Sequence, residues 1–191
     1  MNKLLKTAAV LGVLVFVGQS CGSGTTSTTN TSNTNSYMSD TSATMMEYNL
    51  DEDAAAGDFV HKVSSVELLD EIPESYTTED FAIIAEPLPA DEGFQWVHIE
   101  GSVTNNSNTT ESLTSLGVSV VDSADHEFSV STDTTIYVED GLSPVYIDIQ
   151  PTQTKSWEGY FMVPKTAEGL KLKVNDLQLL PEAEAVIDLG L

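Results

Sequence analysis

The chain has 191 residues, with seven basic residues, all lysine, against 30 acidic ones, so its formal net charge at pH 7 is −23. This balance excludes the basic surface that nucleic-acid binding needs. Without guanidinium groups the chain also lacks bidentate donors for clamping phosphate or sulfate. A single cysteine excludes an intrachain disulfide.

Residues 1–20 have the layout of a bacterial export signal. Lys3 and Lys6 provide a short positive start, and an uncharged apolar run follows at 8–17. This run is shorter than the roughly 20 residues that cross a bilayer as a helix. We therefore interpret residues 1–20 as a signal that is removed and not as a permanent membrane helix.

The only cysteine, Cys21, stands directly after this segment, behind Gly18, Gln19 and Ser20. A cysteine at this place resembles the lipobox of bacterial lipoproteins, in which the thiol is lipidated and the chain is cut in front of it. That family usually has Leu three residues before the cysteine, where this chain has Gly18. Small residues at Gly18 and Ser20 also suit an ordinary signal peptidase. The pattern predicts a membrane anchor through lipid on Cys21, with free secretion of the chain as the alternative.

Residues 21–58 have a composition that cannot build a core. Ser, Thr, Asn and Gly dominate the first part, and an acidic stretch at 51–58 closes it. Such a segment buries too little apolar surface to offset the entropy of ordering it. We predict a disordered tether over 21–58 and one folded domain over 59–191.

From residue 59 onward, short segments rich in β-branched and aromatic residues follow one another, and several alternate apolar with polar positions. The segments are 59–70, 81–88, 95–108, 112–123, 127–132, 134–140, 143–151, 155–164, 170–180 and 185–191. Turn signals such as the Asn-rich stretch near 105–108 separate them. This spacing predicts an immunoglobulin-like antiparallel β-sandwich of about seven to nine strands.

The alternation also assigns the tryptophans to faces. Trp157 shares its face with Phe161 and Val163, so we expect it in the core. Trp96 lies on the face opposite Val97, which leaves two interpretations open. It is either an exposed interaction anchor, because Trp is enriched in binding hot spots, or a side chain covered by the segment around 81–84.

The acidic hairpin at 122–127 is the weak candidate for a metal site. Asp122, Asp125 and Glu127 supply the oxygen ligands that calcium prefers. The alternative is an exposed polar turn in which the Asp side chains bind local backbone groups.

Catalysis has little support in the sequence, and we predict that the protein is not an enzyme and uses no cofactor. The three histidines are His61, His98 and His126, and no nucleophile motif accompanies them. His98 falls on the strand face opposite Val97 and is expected to face solvent. A small hydrolase remains as a third hypothesis, which would need a pocket with converging polar groups.

The order of the segments resembles a bacterial family of unknown function with a telokin-like immunoglobulin fold, whose members are commonly lipoproteins. The resemblance covers about residues 59–180. It rests on a strand that ends at Val103-Thr104-Asn105, a hairpin over 120–125 and a late strand that ends at 161–164. The family's Gly in the late turn is Thr152 here. The resemblance implies a sandwich fold and brings no activity, substrate or catalytic residue.

Together these observations predict a cell-surface lipoprotein that carries a non-enzymatic binding or structural module. Its partner would be a protein, a peptide or an envelope polymer, and the module itself would be a monomer. The alternative is a calcium- or cation-binding accessory domain of the envelope.

Overall fold

The computed structural model describes residues 45–77, 83–139, 142–178 and 180–191. Cys21 and most of the predicted tether lie outside the described residues. The described parts contain fifteen strands and a 3-10 helix at Thr132–Tyr137, and eight of these strands have four residues or more. No helix in these parts is long and apolar enough to cross a membrane.

The strands are numbered in chain order. They are β1 (Met46–Tyr48), β2 (Ala54–Ala56), β3 (Phe59–Leu69), β4 (Glu71–Ile72), β5 (Ser75–Thr77), β6 (Ile83–Ala85), β7 (Leu88–Pro89), β8 (Phe94–Asn105), β9 (Glu111–Thr114), β10 (Val118–Val121), β11 (Glu127–Ser129), β12 (Tyr146–Ile149), β13 (Thr154–Pro164), β14 (Lys171–Asn175) and β15 (Glu184–Asp188).

Two larger sheets form the body of the domain. One has the order β1-β15-β14-β10-β11 and the other β13-β8-β3-β2, while β12-β9, β4-β7 and β5-β6 are two-stranded. Between described strands every pairing is antiparallel except that of β1 with β15. A bulge between Val63 and Ser65 interrupts the ladder of β3 with β8. An inserted residue of this kind bends a strand and increases its twist.

The main core lies between the two larger sheets. Val97 and Phe161 from one sheet and Leu172 and Val174 from the other are completely buried. Trp157 is 1% exposed and belongs to the same cluster. The structure therefore confirms the predicted antiparallel β-sandwich and the core position of Trp157. Because alternate residues of a strand point to opposite faces, the period-two pattern was sufficient to assign Trp157 and its neighbours on the strand to the core face.

A second, smaller cluster covers one end of the outer face of β8. It comprises Trp96, Ile72, Val138 and Tyr160, all buried. The indole N–H of Trp96 donates to the carbonyl of Leu88 at 3.2 Å, and only 2% of the residue is exposed. The interpretation of Trp96 as an exposed interaction anchor is therefore wrong. Alternation shows which face a residue takes, but not whether later segments cover that face.

The predicted start of the folded domain at residue 59 is also corrected. Met46 pairs with Ala185 and Ala54 pairs with His61, so β1 and β2 extend both large sheets with residues assigned to the tether. Ala54 and Ala56 are 0% and 1% exposed. Small alanines carry little strand signal, and their burial depends on partners far away in the sequence.

Two predicted strands have a different form. The segment 112–123 is broken by a turn in which the N–H of Gly117 donates to the carbonyl of Thr114 at 2.8 Å. Its two halves join different sheets, since β9 pairs with β12 and β10 with β14. The start of the segment 134–140 belongs to the 3-10 helix at Thr132–Tyr137.

Candidate functional site

The hairpin between β10 and β11 uses its leading carboxylate to hold its own turn. Asp122 Oδ1 accepts the N–H groups of Ala124 and His126, each at 2.9 Å. Its Oδ2 lies 2.9 Å from Nδ1 of His126. The hydrogen bond from the His126 ring, followed by the backbone N–H groups, lowers the pKa of Asp122. Asp122 therefore binds groups of its own turn. This agrees with the alternative interpretation of the hairpin as an exposed polar turn.

The other two predicted calcium ligands do not join Asp122. Asp125 occupies the left-handed region at φ 61°, and Glu127 lies 4.0 Å from Nζ of Lys173. Within the described residues, only His98, Glu100 and Glu158 form a group of three potential metal ligands whose donor atoms all lie within 4.8 Å of one another. The site predicted from Asp122, Asp125 and Glu127 is therefore not formed.

His98, Glu100 and Glu158 come together on the outer face of the β13-β8-β3-β2 sheet. His98 and Glu100 are two positions apart on β8, so their side chains share a face. Glu158 on β13 stands directly opposite Glu100 in the ladder. Nε2 of His98 is 3.5 Å from Oε2 of Glu158.

Neighbouring groups fix the orientation of two of these side chains. The imidazole of His98 stacks on the ring of Tyr160, with 4.4 Å between ring centres and 12° between planes. Oε1 of Glu158 accepts the backbone N–H of Glu139 at 2.7 Å, which leaves Oε2 directed at His98. Only 14% of the His98 side chain and 16% of the Glu158 side chain are exposed. His98 is therefore mostly covered, not solvent-facing as its strand position had suggested.

The electrostatics of this face follow from its carboxylates. The His98 imidazole lowers the pKa of Glu158, partial burial opposes this shift, and the N–H of Glu139 adds to it. Burial raises the pKa of Tyr160 to about 12, and the negative charges of Glu158, Glu100 and Glu67 contribute. The tyrosine hydroxyl therefore stays neutral at physiological pH beside a negatively charged face.

Sequence reasoning missed this cluster although part of its signal is local. The stretch His98-Ile99-Glu100 places an imidazole and a carboxylate on one strand face by alternation alone. The third member, Glu158, comes from a strand far along the chain and meets Glu100 only through the β8–β13 register. That register cannot be read from either segment by itself.

A half-open cleft of about 220 Å³ lies on the outer face of the β14 sheet. Leu116, Gly117, Asn175 and Gln178 line one part of it. Lys173 lines another part and is bound by Glu184, with 3.0 Å between Nζ and Oε1. Leu116 is 72% exposed beside it. The cleft thus offers an apolar rim next to a neutralised lysine.

His61 is buried on β3, away from the other histidines. One ring nitrogen, Nε2, donates to the carbonyl of Asn175 at 3.0 Å, because a carbonyl can only accept. Burial lowers the pKa of His61 to about 4, against the opposing effect of this hydrogen bond. His61 is therefore a neutral core residue.

Comparison by sequence finds no matching protein family. It also finds no matching curated protein.

Comparison by structure finds several bacterial proteins. The YjhA protein of Bacillus subtilis superposes with a TM-score of 0.52 at 13% identity, over 74% of this chain and 98% of that one. An uncharacterised β-sandwich protein of Clostridium difficile has a TM-score of 0.46 at 14% identity, over 76% of this chain and 94% of that one. A candidate lipoprotein of Bacillus subtilis, YcdA, has a TM-score of 0.48 at 14% identity, over 72% of this chain and 38% of that one. At this level of identity the likeness to YjhA establishes the β-sandwich fold and nothing about activity.

Proposed function

We propose that the protein is a cell-envelope lipoprotein whose β-sandwich serves as a non-enzymatic binding or structural module. One observation carries this proposal. The positive start at Lys3 and Lys6, the apolar run and Cys21 precede a chain that forms a sandwich from Met46 onward. An acylated cysteine with more than one chain gives stable membrane anchoring.

The length of chain between the anchor and the domain suits this role. Roughly 25 residues separate Cys21 from the first strand at Met46. A chain of this length spans at most about 85 Å when fully extended, from about 3.4 Å per residue. The sandwich would therefore be held within reach of the membrane and of the polymers of the cell envelope.

The arrangement of the histidines supports a non-enzymatic role. Within the described residues, His61 contacts a backbone carbonyl, while His98 and His126 each contact a carboxylate. Nucleophilic catalysis needs a base within hydrogen-bond reach of a hydroxyl or thiol. The described contacts place His61 in the core, His98 on the outer face of the sheet and His126 in a turn.

We place partner binding at the cleft beside Leu116. An exposed leucine next to polar groups fits a peptide or protein segment better than a charged polymer, because the one lysine in the cleft is already paired with Glu184. The telokin-like immunoglobulin kinship belongs to the same proposal. It is supported by the ends of two strands on which the resemblance rests, since β8 ends at Asn105 and β13 ends at Pro164.

The anchor is tested by intact mass spectrometry of the protein from the membrane fraction of a bacterial host that processes lipoproteins. We expect a chain that starts at Cys21 and carries a diacylglyceryl increment. Cys21→Ser should move the protein out of the membrane fraction, while Ser23→Ala two residues later should leave it there. An unmodified chain in the medium for the wild type would overturn the lipoprotein assignment.

The cleft is tested separately by cross-linking at the cell surface. Leu116→Glu should abolish cross-links to the partner, whereas Ile136→Glu, at an exposed residue that does not line the cleft, should keep them. Equal cross-linking of the two variants would place the binding surface elsewhere.

A further inference from the structure

We propose that His98, Glu100 and Glu158 bind one divalent ion of the first transition row, with zinc as the representative. This inference does not depend on lipidation or on a partner at the cleft. It rests on the geometry, the unsatisfied nitrogen, the charge and the rigidity of the three side chains.

The separation of the donor atoms fits shared coordination. Nε2 of His98 and Oε2 of Glu158 are 3.5 Å apart, beyond the range of a good hydrogen bond. Two ligands of one tetrahedral zinc, each bound at about 2.0–2.2 Å, lie about 3.3–3.6 Å from each other. Donor atoms of all three residues lie within 4.8 Å of one another. In the proposed site the exposed side chain of Glu100 rotates to bring its carboxylate to the same ion.

The imidazole nitrogen that faces the cluster is unsatisfied. Nε2 of His98 is shielded from solvent and makes no well-formed hydrogen bond within the described residues, since its nearest carboxylate oxygen, Oε2 of Glu158, lies 3.5 Å away. A buried polar atom without a good partner is destabilising, because it has given up its hydrogen bonds with water. A metal ion bound by this nitrogen would remove that cost.

The charge of the face also favours a cation. Glu100 and Glu158 stand directly opposite each other, and like charges in that position destabilise a sheet. Among the described residues no lysine forms an ion pair with either of them, whereas other carboxylates do have lysine partners. Those pairs are Glu47 with Lys171, Asp70 with Lys165, and Glu127 and Glu184 with Lys173. Glu67, which pairs with His98 across the β3–β8 ladder, adds further negative charge.

Two groups behind the ligands hold them in place. Tyr160 fixes the plane of the His98 ring by stacking, and the N–H of Glu139 fixes the carboxylate of Glu158. Contacts of this outer kind orient ligands and raise metal affinity. Both ligand strands are also locked to each other along the whole β8–β13 ladder.

The ligand set selects the class of metal. Imidazole suits zinc, copper, iron and nickel, whereas calcium takes six to eight oxygen ligands. One imidazole and two carboxylates leave a fourth position of a tetrahedral zinc for water or another ligand. Glu100 is exposed, so water can reach the ion from the side of this ligand.

The test is calorimetric titration of zinc chloride into the full chain in detergent after removal of metals by a chelator. Every sample carries Cys21→Ser, so that the thiol cannot bind zinc. We expect one zinc per chain, and a rise in melting temperature as zinc saturates the site. Glu100→Gln, His98→Gln and Glu158→Gln should each weaken binding at least about tenfold. His126→Gln, which alters the other histidine–carboxylate pair, should leave the affinity unchanged.

Glu100→Gln keeps the test decisive if the two more buried variants fail to fold, because the side chain of Glu100 is exposed. A second measurement follows the ring nitrogens of His98 by NMR, where zinc should shift the Nε2 resonance and excess calcium should not. Several weak zinc sites that are equal in wild type and Glu100→Gln would overturn the proposal, since they would reflect the general acidity of the surface. Binding that survives His98→Gln and is matched by calcium would overturn it as well.

Discussion

Asn105, the last residue of β8, reaches across to β12, where its Nδ2 donates to the carbonyl of Ile149 at 3.0 Å. The same nitrogen donates to the carbonyl of Thr109 at 2.8 Å, and Oδ1 accepts the N–H of Ser107 at 2.8 Å. The residue is completely buried. One amide therefore holds the loop after β8 against the end of another sheet, which requires both donor and acceptor atoms.

We predict that Asn105→Asp lowers the free energy of unfolding by about 3 kcal/mol. The carboxylate cannot donate, so the carbonyls of Ile149 and Thr109 both lose this donor, and a charge is buried. The Thr109 carbonyl keeps the hydroxyl of Ser107 at 3.1 Å, and an unsatisfied buried group costs about 1–3 kcal/mol. Urea unfolding followed by tryptophan fluorescence measures the loss. Asn106→Asp makes the same charge change at an exposed neighbour and should cost less than about 0.5 kcal/mol. Equal losses in the two variants would contradict the role given to Asn105.

Thr152 adopts a backbone conformation that favours glycine. Its φ is 63°, and its N–H donates to the carbonyl of Asn105 at 2.7 Å. The left-handed region destabilises a residue that has a Cβ by about 1–2 kcal/mol. Glycine avoids this strain, but it loses more conformational entropy on folding, which offsets part of the gain. Thr152→Gly should raise the free energy of unfolding by about 0.5–1 kcal/mol in the same urea experiment. Thr152→Ala keeps the Cβ and should gain less; a loss of stability in Thr152→Gly would show that the turn is not strained.

Gly101 lies beneath the indole of Trp157, its partner in the β8–β13 ladder. A Cβ at this position would lie 2.7 Å from the carbonyl oxygen of Lys62 and 3.0 Å from the Trp157 ring. Overpacking of this kind costs about 1–3 kcal/mol. We expect Gly101→Ala to lose about 2–3 kcal/mol and to shift the tryptophan emission. Gly93→Ala meets no atom within 4 Å and should cost only the strain of its positive φ. A Gly101→Ala protein as stable as wild type would mean that the Trp157 ring and the backbone of Lys62 shift easily to make room for the methyl group.

The buried His61 predicts a loss of stability in weak acid. Its pKa falls from 6.5 to about 4 on folding, so between these values the unfolded chain binds more protons than the folded one. The contribution of neutral His61 is complete above pH 6.5 and is lost as the pH falls to about 4. At about 1.4 kcal/mol for each pKa unit, the loss is about 3 kcal/mol.

The measurement is urea unfolding at pH 7.5 and pH 4 for wild type and for His61→Gln, which cannot titrate. Wild type should lose about 3 kcal/mol more than the variant over this range, because carboxylates elsewhere titrate alike in both proteins. An equal loss of unfolding free energy between pH 7.5 and pH 4 in the two proteins would show that His61 becomes charged in the folded state without cost.

Much of the sandwich follows from local pattern. The alternation through Val97, Ile99 and Val103, and again through Trp157, Phe161 and Val163, predicted faces that the structure confirms as buried. The hairpin between β10 and β11 and the turn after Asn105 also lie where their turn residues predicted them. These features depend on neighbours within a few positions, so a single sequence contains their signal.

The sequence by itself determined the all-β class, the strand faces, the acidity and the candidate anchor at Cys21. Only the tertiary structure decided that Trp96 is covered, that β1 and β2 complete the sheets, and that Asp122 holds its own turn. It also decided that Glu158 meets His98 and Glu100. Each of these depends on the register or packing of segments that are distant in the sequence. Alternation of apolar and polar residues repeats every two residues and cannot predict such partners. It indicates the face to which a side chain points, but not which distant segment packs against that face.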